Sequence, residues 1–350
     1  MRGRSSGRAT SWLGAVLTVL LAAPRPARAD APKTDVVVMR NGDRLVCEIK
    51  DLEQGRLRVK TDGQGTVYAE WEKAVHVESV RRFDVLLTNG VRLYGSLRPA
   101  VAERRLIVAT TAGDKEVEFD RVADIQLIRS DFWDRFDGSL DLGGSYTQAN
   151  HLFQLNPAFD ATYAEKGFQA GLDLNATWTR QEGKDDASRA FGTLSYLRFW
   201  RERWLAFGQV TAERNTELGL SLRLEATAGA GRQLYVSSRS RLVAGLGLGV
   251  ARESPTDGEA ASSLEGLLTV QWRMFGYSYP KTRVSLSFSL FPGLTEWGRV
   301  RGNADVQVKR EIVRDFTFGV TFYDTFDNRP VSEGAARNDW GTTIALGWSF

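Results

Sequence analysis

From residue 136 onward the chain is written with a period of two, and no other feature constrains its fold as much. In Arg283-Val284-Ser285-Leu286-Ser287-Phe288-Ser289-Leu290 every second residue is apolar and the polar positions after Arg283 are serines. Phe316, Phe318, Val320 and Phe322 alternate with Thr317, Gly319, Thr321 and Tyr323, and Leu218 to Ala228 alternates with Gly219, Ser221, Arg223, Glu225 and Thr227. This period gives a β-strand one apolar face and one polar face. Strands of soluble sheets usually stop at about five or six residues. These segments run to roughly ten to thirteen, the length a tilted strand needs to cross a bilayer. No run of 18 apolar residues exists, so helical spanning is excluded.

Twelve such segments can be counted, at 136–146, 152–164, 168–180, 189–200, 204–213, 218–231, 241–252, 262–273, 282–291, 298–310, 315–326 and 339–350. An even number suits a closed antiparallel barrel, which leaves no sheet edge for lipid to satisfy. Short links at 165–167, 201–203 and 236–240 alternate with longer ones at 181–188, 253–261 and 327–338. That asymmetry is expected of periplasmic turns against external loops, and it puts the N-terminal region and the C-terminus on the periplasmic side. Trp178, Trp200, Trp204, Trp272, Trp297, Trp340 and Trp348 sit near segment ends, where amphipathic rings favour the headgroup level. The last segment carries Ile344, Leu346, Trp348 and Phe350 in alternation, a terminal pattern resembling the signal read by the barrel-assembly machinery of Gram-negative bacteria. The expected fold is all-β, an approximately 12-stranded antiparallel transmembrane β-barrel over residues 131–350 in the outer membrane.

Gly138-Ser139-Leu140-Asp141-Leu142-Gly143-Gly144-Ser145-Tyr146-Thr147-Gln148-Ala149-Asn150, followed by alternating strands and a terminal Phe, resembles the YdiY-like family of salt-induced outer-membrane proteins, which has no settled function. The resemblance covers residues from about 136 to 350, and the family's usual Gly-Asn at the first hairpin is here Ala149-Asn150. It implies a barrel, often with a periplasmic N-terminal extension, and a link to salt or osmotic stress. It brings no catalytic residues.

Residues 30–130 read as a periplasmic β-domain made of two repeats, 35–82 and 83–129. Met39-Arg40-Asn41-Gly42-Asp43-Arg44-Leu45 lines up with Leu87-Thr88-Asn89-Gly90-Val91-Arg92-Leu93, and Trp71-Glu72-Lys73 with Phe119-Asp120-Arg121. Asn41-Gly42 and Asn89-Gly90 each stand between apolar runs, a strong hairpin signal that suggests a type I′ turn. The repeats resemble small Sm-like or SH3-like barrels, whose members often bind RNA or peptides.

The first 29 residues read as a secretory signal peptide. Arg2, Arg4 and Arg8 precede an apolar stretch from Trp12 to Ala23, and Ala27-Arg28-Ala29 forms a small-residue cleavage site. Removing residues 1–29 takes five of the 46 Lys and Arg and none of the 43 acids, so the mature chain sits near −2. Nucleic-acid binding then has no electrostatic support. A single Cys, Cys47, excludes an intrachain disulfide framework, and His76 and His151 are too few for a histidine metal centre. Cys47 alternates with charged residues and is expected in a buried strand position, His76 at the surface of the N-terminal module. No cofactor is expected.

On the polar parity of the barrel segments stand Asp173, Asn175, Arg223, Glu225, Glu265, Gln271, Arg301, Asp305, Gln307 and Lys309. These are expected to line the lumen, as a salt-bridged plug or as the wall of a narrow aqueous path. The expected function is that of a non-enzymatic barrel, a narrow channel or structural envelope protein. One alternative is a barrel lipid hydrolase using His151, at the first external turn, with Ser145 nearby. Another is a docking or adhesion protein whose N-terminal repeats bind a periplasmic protein or peptidoglycan. Expected partners are outer-membrane lipid and the assembly machinery.

Overall fold

The computed structural model describes residues 33–128, 132 and 135–348, apart from short connections at 166, 184–186, 201–202, 217–219, 257–258, 277–279, 314–315 and 331–336. The export segment 1–29 and Phe350 lie outside the described residues.

The N-terminal domain contains nine strands: β1 (Asp35–Met39), β2 (Arg44–Glu53), β3 (Arg56–Thr61), β4 (Gly65–Glu70), β5 (Ala74–Leu87), β6 (Arg92–Pro99), β7 (Arg105–Thr110), β8 (Gly113–Glu118) and β9 (Val122–Leu127). They are hydrogen-bonded in the order β4-β3-β2-β1-β5-β6-β7-β8, with β9 pairing β2 and β5. β5 runs unbroken through the repeat boundary, its first half pairing β1 and its second half β6 and β9. β9 reaches back to β2 at Leu52↔Ile125. Val37, Ile49, Leu57 and Val77 of the first repeat share one core with Phe83, Leu97, Leu106 and Ile125 of the second. A unit of about 48 residues has only a small core of its own, and sharing one enlarges the apolar surface that both repeats bury. The matched positions Trp71 and Phe119 meet in that core. Their rings stack at 4.4 Å and the Trp71 indole N–H donates to the Phe119 carbonyl at 3.0 Å.

The Asn-Gly turns differ from the type I′ expectation. Gly42 and Gly90 have φ of 91° and 92°, while neither Asn41 nor Asn89 is in the positive region. Gly42 N donates to Met39 O at 2.9 Å and Met39 N to Asp43 O at 2.8 Å; Gly90 and Leu87 repeat the pattern. Each is a three-residue loop whose left-handed glycine ends a right-handed turn. The asparagines serve through their side chains, Asn41 Oδ1 accepting from Asp43 N and Asn89 Oδ1 from Val91 N. His76, expected at the surface, is half-buried on β5 opposite Val38.

The second sheet has twelve antiparallel strands in sequence order. They are β10 (Phe136–Thr147), β11 (Leu152–Glu165), β12 (Phe168–Arg180), β13 (Ala187–Trp200), β14 (Trp204–Asn215), β15 (Leu220–Val236), β16 (Ser240–Pro255), β17 (Ala261–Gly276), β18 (Thr282–Pro292), β19 (Val300–Val313), β20 (Phe316–Asp327) and β21 (Asn338–Trp348). All twelve segments read from the sequence are present. The sheet curls around a cavity lined by residues of β11 to β21, and it fits a barrel. One element of the expected closure is missing: among the described residues β10 pairs only with β11 and β21 only with β20. Every residue of β10 is accordingly exposed, on both faces.

Burial of Cys47 on β2 pushes its thiol up to about 12, with Asp35 adding to the effect. Only the thiolate is a good nucleophile. At pH 8 the folded protein is therefore expected to give no reaction with a disulfide thiol reagent over an hour, and one equivalent in guanidinium. Rapid labelling of the folded protein would contradict the buried placement.

Candidate functional site

Register divides the wall into two faces. Along β15, Leu222, Leu224, Ala226, Ala228 and Ala230 point outward and are exposed, while Arg223, Glu225 and Thr227 point inward and are shielded. The cross-strand pairs carry this parity around the sheet, from Leu224↔Arg252 to Val250↔Leu264 and Leu268↔Leu290. The outward face is uncharged through the middle of every strand. Leu246 is 63 % exposed and Ile344 65 %, whereas the inward Glu265 is 2 % exposed. That is the reverse of a water-soluble sheet, in which the apolar face is covered.

The inward face encloses a cavity of about 1970 Å³. Asp173, Arg223, Glu225, Gln271, Arg301 and Asp305 line it, as the sequence parity predicts. Asn175 stands opposite Phe191, which lines the cavity, and so shares the inward parity. Gln307 and Lys309 lie on the same parity of β19 toward its other end. Glu265 is buried behind Arg301. Of the inward glycines on β15 and β16, Gly229 and Gly245 make room for the Phe207 ring and Gly231 for Leu205.

Arginines tie the inner wall together at one end. The Arg301 guanidinium donates to Glu265 at 3.1 Å and to Glu225 at 3.0 Å. Arg223 pairs with Glu253 at 2.8 Å and Glu213 at 3.3 Å. Arg299, 3 % exposed in its side chain, meets Asp327 at 2.7 Å, Glu296 at 3.1 Å and Glu253 at 3.5 Å. Six carboxylates thus face three guanidinium groups, and Glu253 bridges two of them. Glu213, Glu253, Arg299 and Asp327 escape a reading by segments because they lie at strand ends or in the segments read as loops. Parity continued past those ends is the signal by which they could be found.

The N-terminal domain occupies the opposite mouth. Glu53, Arg92, Asp124 and Gln126 line the same cavity as the barrel residues. Arg241 of β16 pairs with Asp124 at 2.5 Å, Arg273 of β17 with Glu53 at 3.5 Å, and Arg239, in the turn before β16, with Glu72. Arg203 Nη2 donates to the Thr88 carbonyl at 2.6 Å. The Arg92 guanidinium sits 4.1 Å from the centre of the Phe199 ring and also pairs with Asp84 at 2.6 Å. Leu86 and Ala123 close over Val236, all three nearly inaccessible. Burial raises the Asp124 carboxyl above its ordinary range, an effect that the neighbouring Arg241 opposes.

The remaining candidates lie apart. His151, at the first turn, has φ 47°, with Nδ1 3.4 Å from the Tyr146 hydroxyl and Nε2 3.5 Å from Glu182. Ser145 pairs with Gln154 on the inward parity of β10. Ile344, Leu346 and Trp348 face outward together on β21. Asn41, Gly42, Asn89 and Gly90 form turns of the N-terminal sheet, and Thr88 of the second turn meets the barrel. Among the described residues no group of three or more His, Cys, Asp or Glu could hold a metal ion.

Removing Arg301 strands two carboxylates in the wall. Arg301→Met is expected to cost roughly 3 kcal/mol, seen as a lower urea midpoint of the refolded protein. Adding Glu265→Gln should recover part of the loss; an R301M midpoint equal to that of the parent would show that the pair contributes nothing.

The NanC porin structure, in a rhombohedral crystal form, aligns with 61 % of this chain and 100 % of its own, at 8 % identity and a TM-score of 0.36. No curated protein matches the chain. A family model described as a protein of unknown function, DUF481, matches residues 140–350. With more than half of its length covered by that model, the chain belongs to the DUF481 family, the YdiY-like outer-membrane family of unknown function.

Proposed function

We propose that this protein is an outer-membrane barrel whose periplasmic N-terminal domain stoppers its own lumen, making it a narrow, gated conduit and not an open pore. The observation that carries the reading is that Glu53, Arg92, Asp124 and Gln126 share one cavity with the barrel's inward residues. The uncharged outward band supports the membrane location. Between Leu242 and Arg252 on β16 it runs ten residues, roughly 25 Å of height for a tilted strand. Residues 1–29 would direct export, and Ile344, Leu346, Trp348 and Phe350 would be read by the assembly machinery. The lumen carries more carboxylates than guanidinium groups, which favours cations. A role under salt or osmotic stress follows from the family resemblance.

The reading assigns no catalysis. Ser145 lies on the inward parity, away from lipid, and the contacts of His151 are with Tyr146 and Glu182. The N-terminal domain commits its acidic face to the barrel mouth, so its first partner is the barrel itself.

In a planar bilayer the refolded chain should give small, infrequent, cation-preferring steps. Glu53→Arg/Glu72→Arg sets like charges against Arg273 and Arg239, a juxtaposition that costs several kcal/mol. The fraction of time open should rise roughly tenfold or more. The swap Glu72→Arg/Arg239→Glu should keep the low open fraction of the parent. Equal open fractions in parent and E53R/E72R would dismiss the stopper.

Among the described residues β10 and β21 each pair on one side only; in lipid their outer edges must be satisfied, and their outward residues, Leu140 and Leu142 against Ile344 and Leu346, suit a seam closed between them. Hydrogen exchange of the protein in vesicles should protect β10 and β21 as strongly as β15 and β16. Fast exchange confined to the two edges would mean an open seam.

A further inference from the structure

The outward face is uncharged at mid-height but is bounded by arginines at both rims. On the rim nearest the N-terminal domain stand Arg198, Arg232 and Arg310; on the opposite rim stand Arg180, Arg214 and Arg252. All six are exposed. Among the described residues the acids on this parity are few: Glu165 is paired with Arg135 at 3.0 Å, and Asp324 lies on β20. Arg198, Arg214, Arg252 and Arg310 have no acidic partner among the described residues.

We propose that these rim arginines bind the phosphate headgroups of anionic lipids, a proposal that rests on the membrane reading above. Each guanidinium projects where a bilayer would place its phosphate layer, just beyond the apolar band. There the planar fork can donate two parallel hydrogen bonds to one phosphate. Indole rings hold two of the forks in place, Arg180 4.7 Å from the Trp178 ring centre and Arg232 5.4 Å from that of Trp204. Arg214 and Arg252 stand two strands and one row of side chains apart, roughly 12 Å between Cα atoms at ordinary strand spacing. Two such flexible side chains can converge on a single headgroup. A water-soluble protein would pair such arginines with acids; for Arg198, Arg214, Arg252 and Arg310 the complementary charge would come from the lipid.

The test uses the full chain refolded into phosphatidylcholine vesicles containing either brominated phosphatidylglycerol or brominated phosphatidylcholine, with quenching of tryptophan fluorescence as the readout. Trp178 and Trp204 report from beside two of the sites. The anionic lipid is expected to bind the protein surface roughly fivefold better than the zwitterionic one. Replacing Arg198, Arg214, Arg232, Arg252 and Arg310 together by Gln should bring that ratio close to one, and replacing the same five by Lys should retain most of it. A parental ratio near one, or an unchanged ratio in the Gln variant, would overturn the proposal while leaving the membrane reading intact. Failure of the parent to insert into either vesicle would overturn the membrane reading itself.

Discussion

The structure depends on an inverted distribution of polarity along its longest strands. Backbone N–H and C=O groups on β11 to β20 are paired on both sides by neighbouring strands, so the sheet can leave its apolar face uncovered without orphaning a polar group. Leu246, Leu248 and Val250 point out while Glu253 and Glu265 are buried within. The N-terminal sheet follows the opposite rule, with Phe83, Phe119 and Ile125 buried in its core. One chain thus contains two β-sheets with opposite distributions of polarity.

Turning the polar face inward creates a problem that the arginines solve. A carboxylate such as Glu265, almost without access to water, is costly unless paired. Arg223, Arg299 and Arg301 each meet at least two acids, and in doing so they bind β14 to β20 across the cavity. At the other mouth the signs are exchanged between domains, with barrel arginines 239, 241 and 273 meeting Glu72, Asp124 and Glu53. Isolated exposed ion pairs are weak. These are joined by the apolar contact of Leu86, Ala123 and Val236 and by Arg92 over Phe199, so the two sheets are held together by packing as well as charge.

Much of this was legible from residue order because strand periodicity is local. Two-residue alternation placed the twelve strands, the inward parity of Asp173, Arg223 and Glu225, and the outward parity of Ile344 and Leu346. It ran out where a strand outlasts its alternating core: β15 and β16 continue to Val236 and Pro255, past the segments read from the sequence. Glu253 therefore looked like a loop residue and is in fact the bridge between Arg223 and Arg299. The Asn-Gly pairs correctly marked turns, but the turn type was decided by bonds to Met39, Asp43, Leu87 and Val91 that dipeptide identity does not specify.

What residue order determined by itself is what depends on neighbours in the chain: all-β character, strand number, the two faces, and the repeat that aligns Trp71 with Phe119. What only tertiary structure decided is which faces meet. The stacking of Trp71 on Phe119, the core shared by the two repeats and the seating of the N-terminal sheet in the barrel mouth all involve groups far apart in sequence. The physical reason is range: periodicity sets the direction of a side chain relative to its own backbone, whereas partners are chosen by the burial and charge balance of the whole assembled surface.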